Sequence, residues 1–185
     1  EEAGYDIIFI ETMGVGQAET TVYDMVDIFL VLLLPLGGDE LQGIKKGIIE
    51  IADLIIVNKA DGKQISSAEI TKSEYKNAQS IISKNRKDVS PDVLVCSSLE
   101  TKGFEEIWSF IREFEKIRRR NGSFDNNRSE QKIKAIWRDL DLRTSDYIES
   151  ELKSKNFVKK IIKDVENKNF DVNNASNIIF NYLKK

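Results

Sequence analysis

The sequence predicts an α/β unit built on a mostly parallel sheet, followed by a C-terminal series of helices. Three observations carry this expectation. Four short apolar runs, Tyr5–Ile10, Ile28–Leu34, Leu54–Val57 and Val93–Cys96, read as strands. Their apolarity is continuous rather than alternating, as in strands buried on both faces. Helical stretches lie between them, and strands alternating with helices imply βαβ units with parallel pairing.

The elements justify themselves in order. Tyr5–Ile10 is rich in Ile and Phe and runs out into Glu11-Thr12-Met13-Gly14. Ile28–Leu34 stops at Pro35. Gly37-Gly38-Asp39-Glu40 then leads into a helix over Leu41–Ala52, with acids placed to complement its N-terminus. Gly43 and Gly47 weaken that helix by about 1 kcal/mol each relative to Ala, which suits either a movable segment or close helix–sheet packing. Leu54–Val57 ends at Asn58, and helices are expected over Ser67–Lys84 and, after Val93–Cys96, over Gly103–Arg119. The basic run Arg118–Arg120 and the polar stretch Asn121–Arg128 mark a change of character. Ile133–Leu142, Tyr147–Val165 and Asn173–Leu183 have helical spacing and no strand signal, and Asp171 is placed to cap the last. The expected division is residues 1–120 for the α/β portion and 121–185 for the helical extension.

Composition narrows the chemistry. The chain has 185 residues and a formal charge of −3, with a pI near 5.3, so it lacks the basic footprint of a nucleic-acid binder. The single cysteine, Cys96, can form no internal disulfide, which fits a reducing, cytoplasmic setting. With no histidine, Ser-His-Asp and Cys-His catalysis are excluded. Its longest apolar run, Ile28–Leu36, is too short to span a bilayer. The chain opens on Glu1 and reaches an apolar run by Tyr5, so the expectation is that its natural start lies upstream.

In parallel sheets ligands bind beyond the carboxyl ends of the strands, so those positions carry the chemistry. After Leu54–Val57 stands Asn58-Lys59-Ala60-Asp61. Guanine offers two adjacent donors, the ring N1–H and the exocyclic amine, and one carboxylate, Asp61, can accept both. Adenine lacks that pair and would leave Asp61 desolvated and unmatched, at about 1–3 kcal/mol. Asn58 can tie neighbouring loops together, and the stem of Lys59 can lie along a base while its ammonium stays wet. The alternative is a polar strand-to-helix turn. After the next strand stands Cys96-Ser97-Ser98-Leu99, which can offer a backbone N–H to the guanine O6; alone it reads equally as a serine-rich helix cap. Lys102-Gly103 suits a tight turn into the following helix.

The earlier strand ends are less specific. Glu11 can hold Mg²⁺ directly or through water. Gly14 and Gly16 allow close approach to a phosphate. Gln17 could orient a hydrolytic water, though a solvated loop residue fits it as well. No G-x-x-x-x-G-K-[ST] occurs in the sequence, so the chain can read a base but has no loop to cradle phosphates.

On these residues the sequence resembles a known family. The runs GYDIIFIETMGVGQAET and DIFLVLLLPLGGDELQGIKKGIIEIADLIIVNKADG look like those of the MeaB/ArgK GTPases, called MMAA in animals. The likeness is dense over about Gly4–Phe114; the C-terminal part agrees in helical character. It implies a P-loop NTPase-like fold of the SIMIBI class, here incomplete. It implies a chaperone of adenosylcobalamin-dependent methylmalonyl-CoA mutase, in which GTP hydrolysis gates cofactor delivery and protection. By the resemblance Asn58, Lys59 and Asp61 read guanine, and Ser97, Ser98 and Leu99 form a second base-contacting turn. Glu11 takes the Mg²⁺-associated acidic position. A second switch falls on Gly14–Glu19. A third switch, which the mutase engages, falls on Asp39–Lys46, including Glu40, Gln42 and Lys45. The C-terminal helices serve a homodimer. GTP or GDP and Mg²⁺ are the implied cofactors once a phosphate loop is supplied; this chain alone is expected to be inactive. The contrasting expectation is a nucleotide-inactive remnant acting at most as an interaction module. The family's other label, a lysine/arginine/ornithine transport kinase, finds no support in any residue here. A sheet lacking its phosphate-loop strand should leave apolar surface around Ile8 and Ile10 exposed.

Overall fold

The structure is a computed structural model that describes residues 3–12, 18–35, 46–82 and 91–183. Its sheet has three parallel strands in the order β1 (Leu30–Leu33), β2 (Leu54–Val57) and β3 (Asp92–Val95). Leu30 lies opposite Leu54, and Leu54 opposite Asp92. The central strand is buried along its whole length, as its unbroken Leu-Ile-Ile-Val requires. Asp53 fixes the entry to both first strands: its Oδ2 accepts the Phe29 N–H at 2.9 Å while its own N–H donates to the Phe29 carbonyl at 2.9 Å.

Residues alternate between the two faces of the sheet. One face presents Phe29, Val31, Leu33, Ile55, Val57 and Val93 to a core completed by Ala52, Ala68 and Tyr75. This core is covered by α1 (Ala18–Tyr23), α2 (Lys46–Ile51) and α3 (Ile65–Ile82). On the other face Leu54, Ile56 and Cys96 pack against Ile107 of α4 (Phe104–Arg120), with Phe110 and Ile111 beside it. Leu30 and Leu94 flank this second cluster, while Leu32 on β1 is left 67% exposed.

Tyr5–Ile10 departs from expectation: it is not a strand, and its side chains are exposed, Phe9 to 78%. A four- to six-residue apolar segment becomes a strand only when a neighbour supplies its hydrogen bonds. Among the described residues no strand lies on the outer side of β1, and Tyr5–Ile10 does not take that position.

The chain forms two compact units, residues 1–131 and 132–185. Their division falls within α5 (Ser123–Tyr147) rather than at the expected 120/121. The reason is the packing of α5's first turns. Phe124 is buried with the Arg119 and Arg128 guanidiniums 3.9 Å and 4.6 Å from its ring centroid. Arg128 makes a bidentate pair with Asp27 at 2.8 and 2.7 Å, and Gln131 donates to the Val26 carbonyl at 2.7 Å.

In the second unit the expected single helix over Tyr147–Val165 is broken. A π turn spans Ile148–Leu152, closed by the Lys153 N–H to the Ile148 carbonyl at 2.9 Å, and Leu152 is buried there. Extended Lys155 then precedes α6 (Asn156–Glu166). A π turn inserts a residue without changing composition, so apolar spacing alone cannot reveal it. The helix α7 (Val172–Leu183) starts where expected: Asp171 Oδ1 accepts the Asn174 N–H at 2.9 Å, the N-cap bond its side chain is suited to make. Phe157 of α6 meets Tyr182 of α7 with ring centroids 4.3 Å apart. Among the described residues no helix is long and apolar enough to cross a membrane.

Candidate functional site

The loops that leave β2 and β3 meet at the C-terminal end of the sheet. Asn58 follows β2, and its own N–H donates to the Leu33 carbonyl at 2.8 Å, extending the ladder. Its side chain then joins the two loops. Asn58 Oδ1 accepts from the Lys59 N–H at 2.7 Å, the Ser98 N–H at 3.1 Å and the Ser98 hydroxyl at 3.1 Å, with the Cys96 thiol at 3.4 Å. The backbone repeats the connection, since the Ala60 N–H donates to the Cys96 carbonyl at 3.0 Å. Lys59 is held at φ 59°, a left-handed conformation that costs a non-glycine residue about 1–2 kcal/mol. The Asn58 and Cys96 bonds on either side hold that turn in place.

Asp61 is fixed from the second loop. The Ser97 hydroxyl donates to Asp61 Oδ2 at 2.6 Å and accepts the Glu100 N–H at 3.0 Å. A carboxylate has about four lone-pair sites, so this bond aims Asp61 and leaves room for two further donors. The Ser97–Lys102 turn is itself closed by reciprocal backbone bonds of 3.0 and 3.1 Å. Gly103, at φ 82°, ends it: a Cβ there would stand 2.3 Å from the Val95 carbonyl oxygen. Only glycine lets α4 start so close to β3. Burial raises the Cys96 thiol pKa above its usual value, keeping it neutral beside Asn58. The exposed Lys102 ammonium is held in its charged form by its hydrogen bond to Glu100.

Together these loops border an open cleft of about 580 Å³ whose walls include Asn58, Lys59, Asp61, Ser98 and Leu99. That size suits a small ligand, and a fixed carboxylate in its wall favours one with adjacent donors. Gly62, Lys63 and Gln64 also line it, and sequence reasoning missed them. They form a 3₁₀ turn closed by the Gln64 N–H to the Asp61 carbonyl at 2.9 Å. Gly62 directly after Asp61 was the signal available. Also missed was Ser97's bond to Asp61; the sequence suggested only a backbone contact from that turn.

The other candidates are placed differently. Glu11 is exposed at the end of the unpaired segment 3–12 rather than at a strand end. Gly14, Gly16, Gln17, Asp39, Glu40, Gln42 and Lys45 lie outside the described residues, and Lys46 opens α2. Among the described residues no group of three or more acidic, Cys or His side chains could hold a metal. Mg²⁺ sites use one or two carboxylates together with phosphates and water. Glu11 could supply one such carboxylate, the remaining ligands coming from phosphate and water.

A family model described as methylmalonyl Co-A mutase-associated GTPase MeaB matches residues 1–155. A putative GTPase of Caulobacter vibrioides is 42% identical over 166 residues, covering 90% of this chain and 49% of that protein. GTPase ArgK of Escherichia coli K12 is 44% identical over 133 residues, covering 72% of this chain and 40% of that one. The mitochondrial methylmalonic aciduria type A homolog of Mus musculus is 44% identical over 137 residues, covering 74% and 33%. The chain thus spans half or less of the length of these curated relatives. The crystal structure of a LAO/AO transport system kinase superimposes with a TM-score of 0.75 at 30% identity, over 99% of this chain and 59% of that one.

Proposed function

Because the chain belongs to the MeaB family of methylmalonyl Co-A mutase-associated GTPases, we propose that it supplies the guanine-reading part of a GTP-binding, GTP-hydrolysing chaperone. Its partner in this reading is adenosylcobalamin-dependent methylmalonyl-CoA mutase or a related mutase, and hydrolysis gates delivery and protection of the cofactor. The observation that carries the base reading is the pairing of Asp61, aimed by the Ser97 hydroxyl, with Asn58, which ties both loops into one rim. Such a rim discriminates by leaving the wrong base's edge unmatched. The switch roles of Gly14–Glu19 and Asp39–Lys46, and a water-orienting role for Gln17, belong to the same proposal.

The base reading is tested with the chain alone. Without a phosphate loop, GDP should bind weakly, with Kd on the order of 1 mM. Amide chemical shifts should move at Asn58–Gln64 and Ser97–Leu99, not with ADP, and not in Asp61→Ala. Equal shifts with ADP would sink the guanine reading.

The helical extension is proposed to form a homodimer through α5. Ile133, Ile136, Trp137 and Leu140 recur at helical spacing along it, and all are exposed, Trp137 to 65%. Such a stripe is suited to a symmetric helix–helix contact. Sedimentation should give twice the chain mass, and Trp137→Glu should give the monomer; a wild-type monomer at high concentration would rule the dimer out.

A further inference from the structure

The turn between α1 and β1 is gripped by the corner where α4 ends and α5 begins. Gln131 donates to the Val26 carbonyl at 2.7 Å, and Arg118 to the Asp27 carbonyl at 3.3 Å. The Arg128 guanidinium takes both oxygens of the Asp27 carboxylate, at 2.8 and 2.7 Å. The corner is braced by bonds of its own. Arg118 donates to the Ser123 hydroxyl at 3.2 Å, the Ser123 N–H donates to Asn121 Oδ1 at 3.0 Å, and Glu115 holds Arg119 at 2.8 Å beside the Phe124 ring. What it grips is a slighter element. α1 has six residues, too few for a helix to be stable alone. Its last turn, closed by the Met25 N–H to the Val22 carbonyl at 2.9 Å, runs directly into Val26 and Asp27.

The grip is directional, yet it can open. A two-pronged guanidinium–carboxylate pair fixes orientation as well as distance. The Arg128 and Asp27 side chains keep 34% and 36% of their surface exposed, so the pair can part without stranding a charge in a dry interior. While it is closed, the turn and the corner move as one body; once it is open, they are two. We infer that Asp27 and Arg128 form a latch that couples α1 to the first turns of α5. A shift of α1 either carries those turns with it or breaks the pair. The sequence leading into α1 is the proposed second switch, Gly14–Glu19, so the latch makes residues 123–131 the read-out of that switch. This last step rests on the switch role proposed above, whereas the latch does not.

The test is amide hydrogen exchange on the full chain, with the buried strand β2 as the internal check that each variant is folded. Arg128→Met should speed exchange at residues 18–27 and 123–131 together, at least tenfold, and leave 54–57 unchanged. Should that variant fail to fold, Arg128→Lys, which keeps the charge and loses the two-pronged grip, should give the same pattern at smaller amplitude. Arg119→Met removes a contact of Phe124 but none with Val26 or Asp27, and should leave 18–27 unchanged. Coupling must also run in reverse. Thr21→Gly weakens α1 through helix propensity and should speed exchange at 123–131 at least threefold, an effect that disappears in the Arg128→Met background. Exchange at 18–27 that ignores both Arg128 variants overturns the latch. So does a Thr21→Gly effect on 123–131 that is absent, or that survives Arg128→Met undiminished. Gly16→Pro, ahead of α1, should shift the 123–131 amides in the wild type and not in Arg128→Met. If it shifts neither while the Thr21→Gly result holds, the switch reading fails and the latch stands.

Discussion

The two faces of the three-stranded sheet are finished to different degrees. On one face Val31, Leu33, Ile55, Val57 and Val93 lie in a core closed by three helices. On the other, α4 covers β2 and β3, and Leu32 of β1 remains exposed. The cleft lined by Asn58, Lys59 and Asp61 sits on loops leaving β2 and β3, strands that contribute to both cores. The cleft thus rests on closed packing, while the outer edge of β1 carries no strand among the described residues.

The largest test of this contrast is a matched pair of truncations. Ile55→Ala, at a fully buried site, should cost about 2–5 kcal/mol through lost burial and the cavity left behind. Leu32→Ala, on the open face, should fall within about 0.5 kcal/mol of wild type. Urea midpoints read both. Similar losses would mean that the second face is covered after all and that the contrast is wrong.

A smaller effect tests how α4 is held over the second face. Gly103→Ala places a Cβ against the Val95 carbonyl oxygen in a left-handed conformation, and should cost about 2–3 kcal/mol by strain that the turn cannot relieve. Gly122→Ala, equally left-handed at φ 76° but facing open space, should cost about 1 kcal/mol. Equal costs would show that the close approach at Gly103 relaxes freely and does not fix the Ser97–Lys102 turn.

The same contrast explains what the sequence could disclose. Leu54–Val57 was legible to the residue because a strand buried on both faces has no polar positions to blur it. Asn58, Asp61, Ser98 and Leu99 could be singled out because they follow strands, where a parallel sheet places its ligand-facing loops, and they do line one cleft. Tyr5–Ile10 reads as a strand with equal clarity and is not one, since a strand is a property of a pair and its apolar pattern says nothing about whether the neighbour is present. The π turn at Ile148–Leu152 was hidden for the opposite reason: its hydrogen bonds shift by one residue while the apolar spacing on either side continues. The bond from Ser97 to Asp61 joins loops 36 residues apart, a distance that no local pattern spans. Arg128's pairing with Asp27 is longer in sequence still, which is why the helical extension begins, by packing, later than its composition suggests.

The smallest expected effect lies within the closed face. Tyr75 of α3 is 1% exposed in the core beneath β2, and its hydroxyl has no hydrogen-bond partner among the described residues. A buried donor left unmatched is a cost rather than a support. Tyr75→Phe keeps the ring and removes that group, so it should be neutral or stabilising by up to about 1 kcal/mol at pH 7. Burial, with a smaller contribution from the Glu74 carboxylate, raises the Tyr75 pKa above its usual 10.0. Above pH 10 the unfolded tyrosine therefore ionises while the folded one keeps its proton, and wild-type stability falls as pH rises through that window. Tyr75→Phe should flatten this part of the decline. If it instead destabilises the protein by more than 1 kcal/mol at pH 7, the hydroxyl has a partner, and the closed face is better satisfied than the structure indicates.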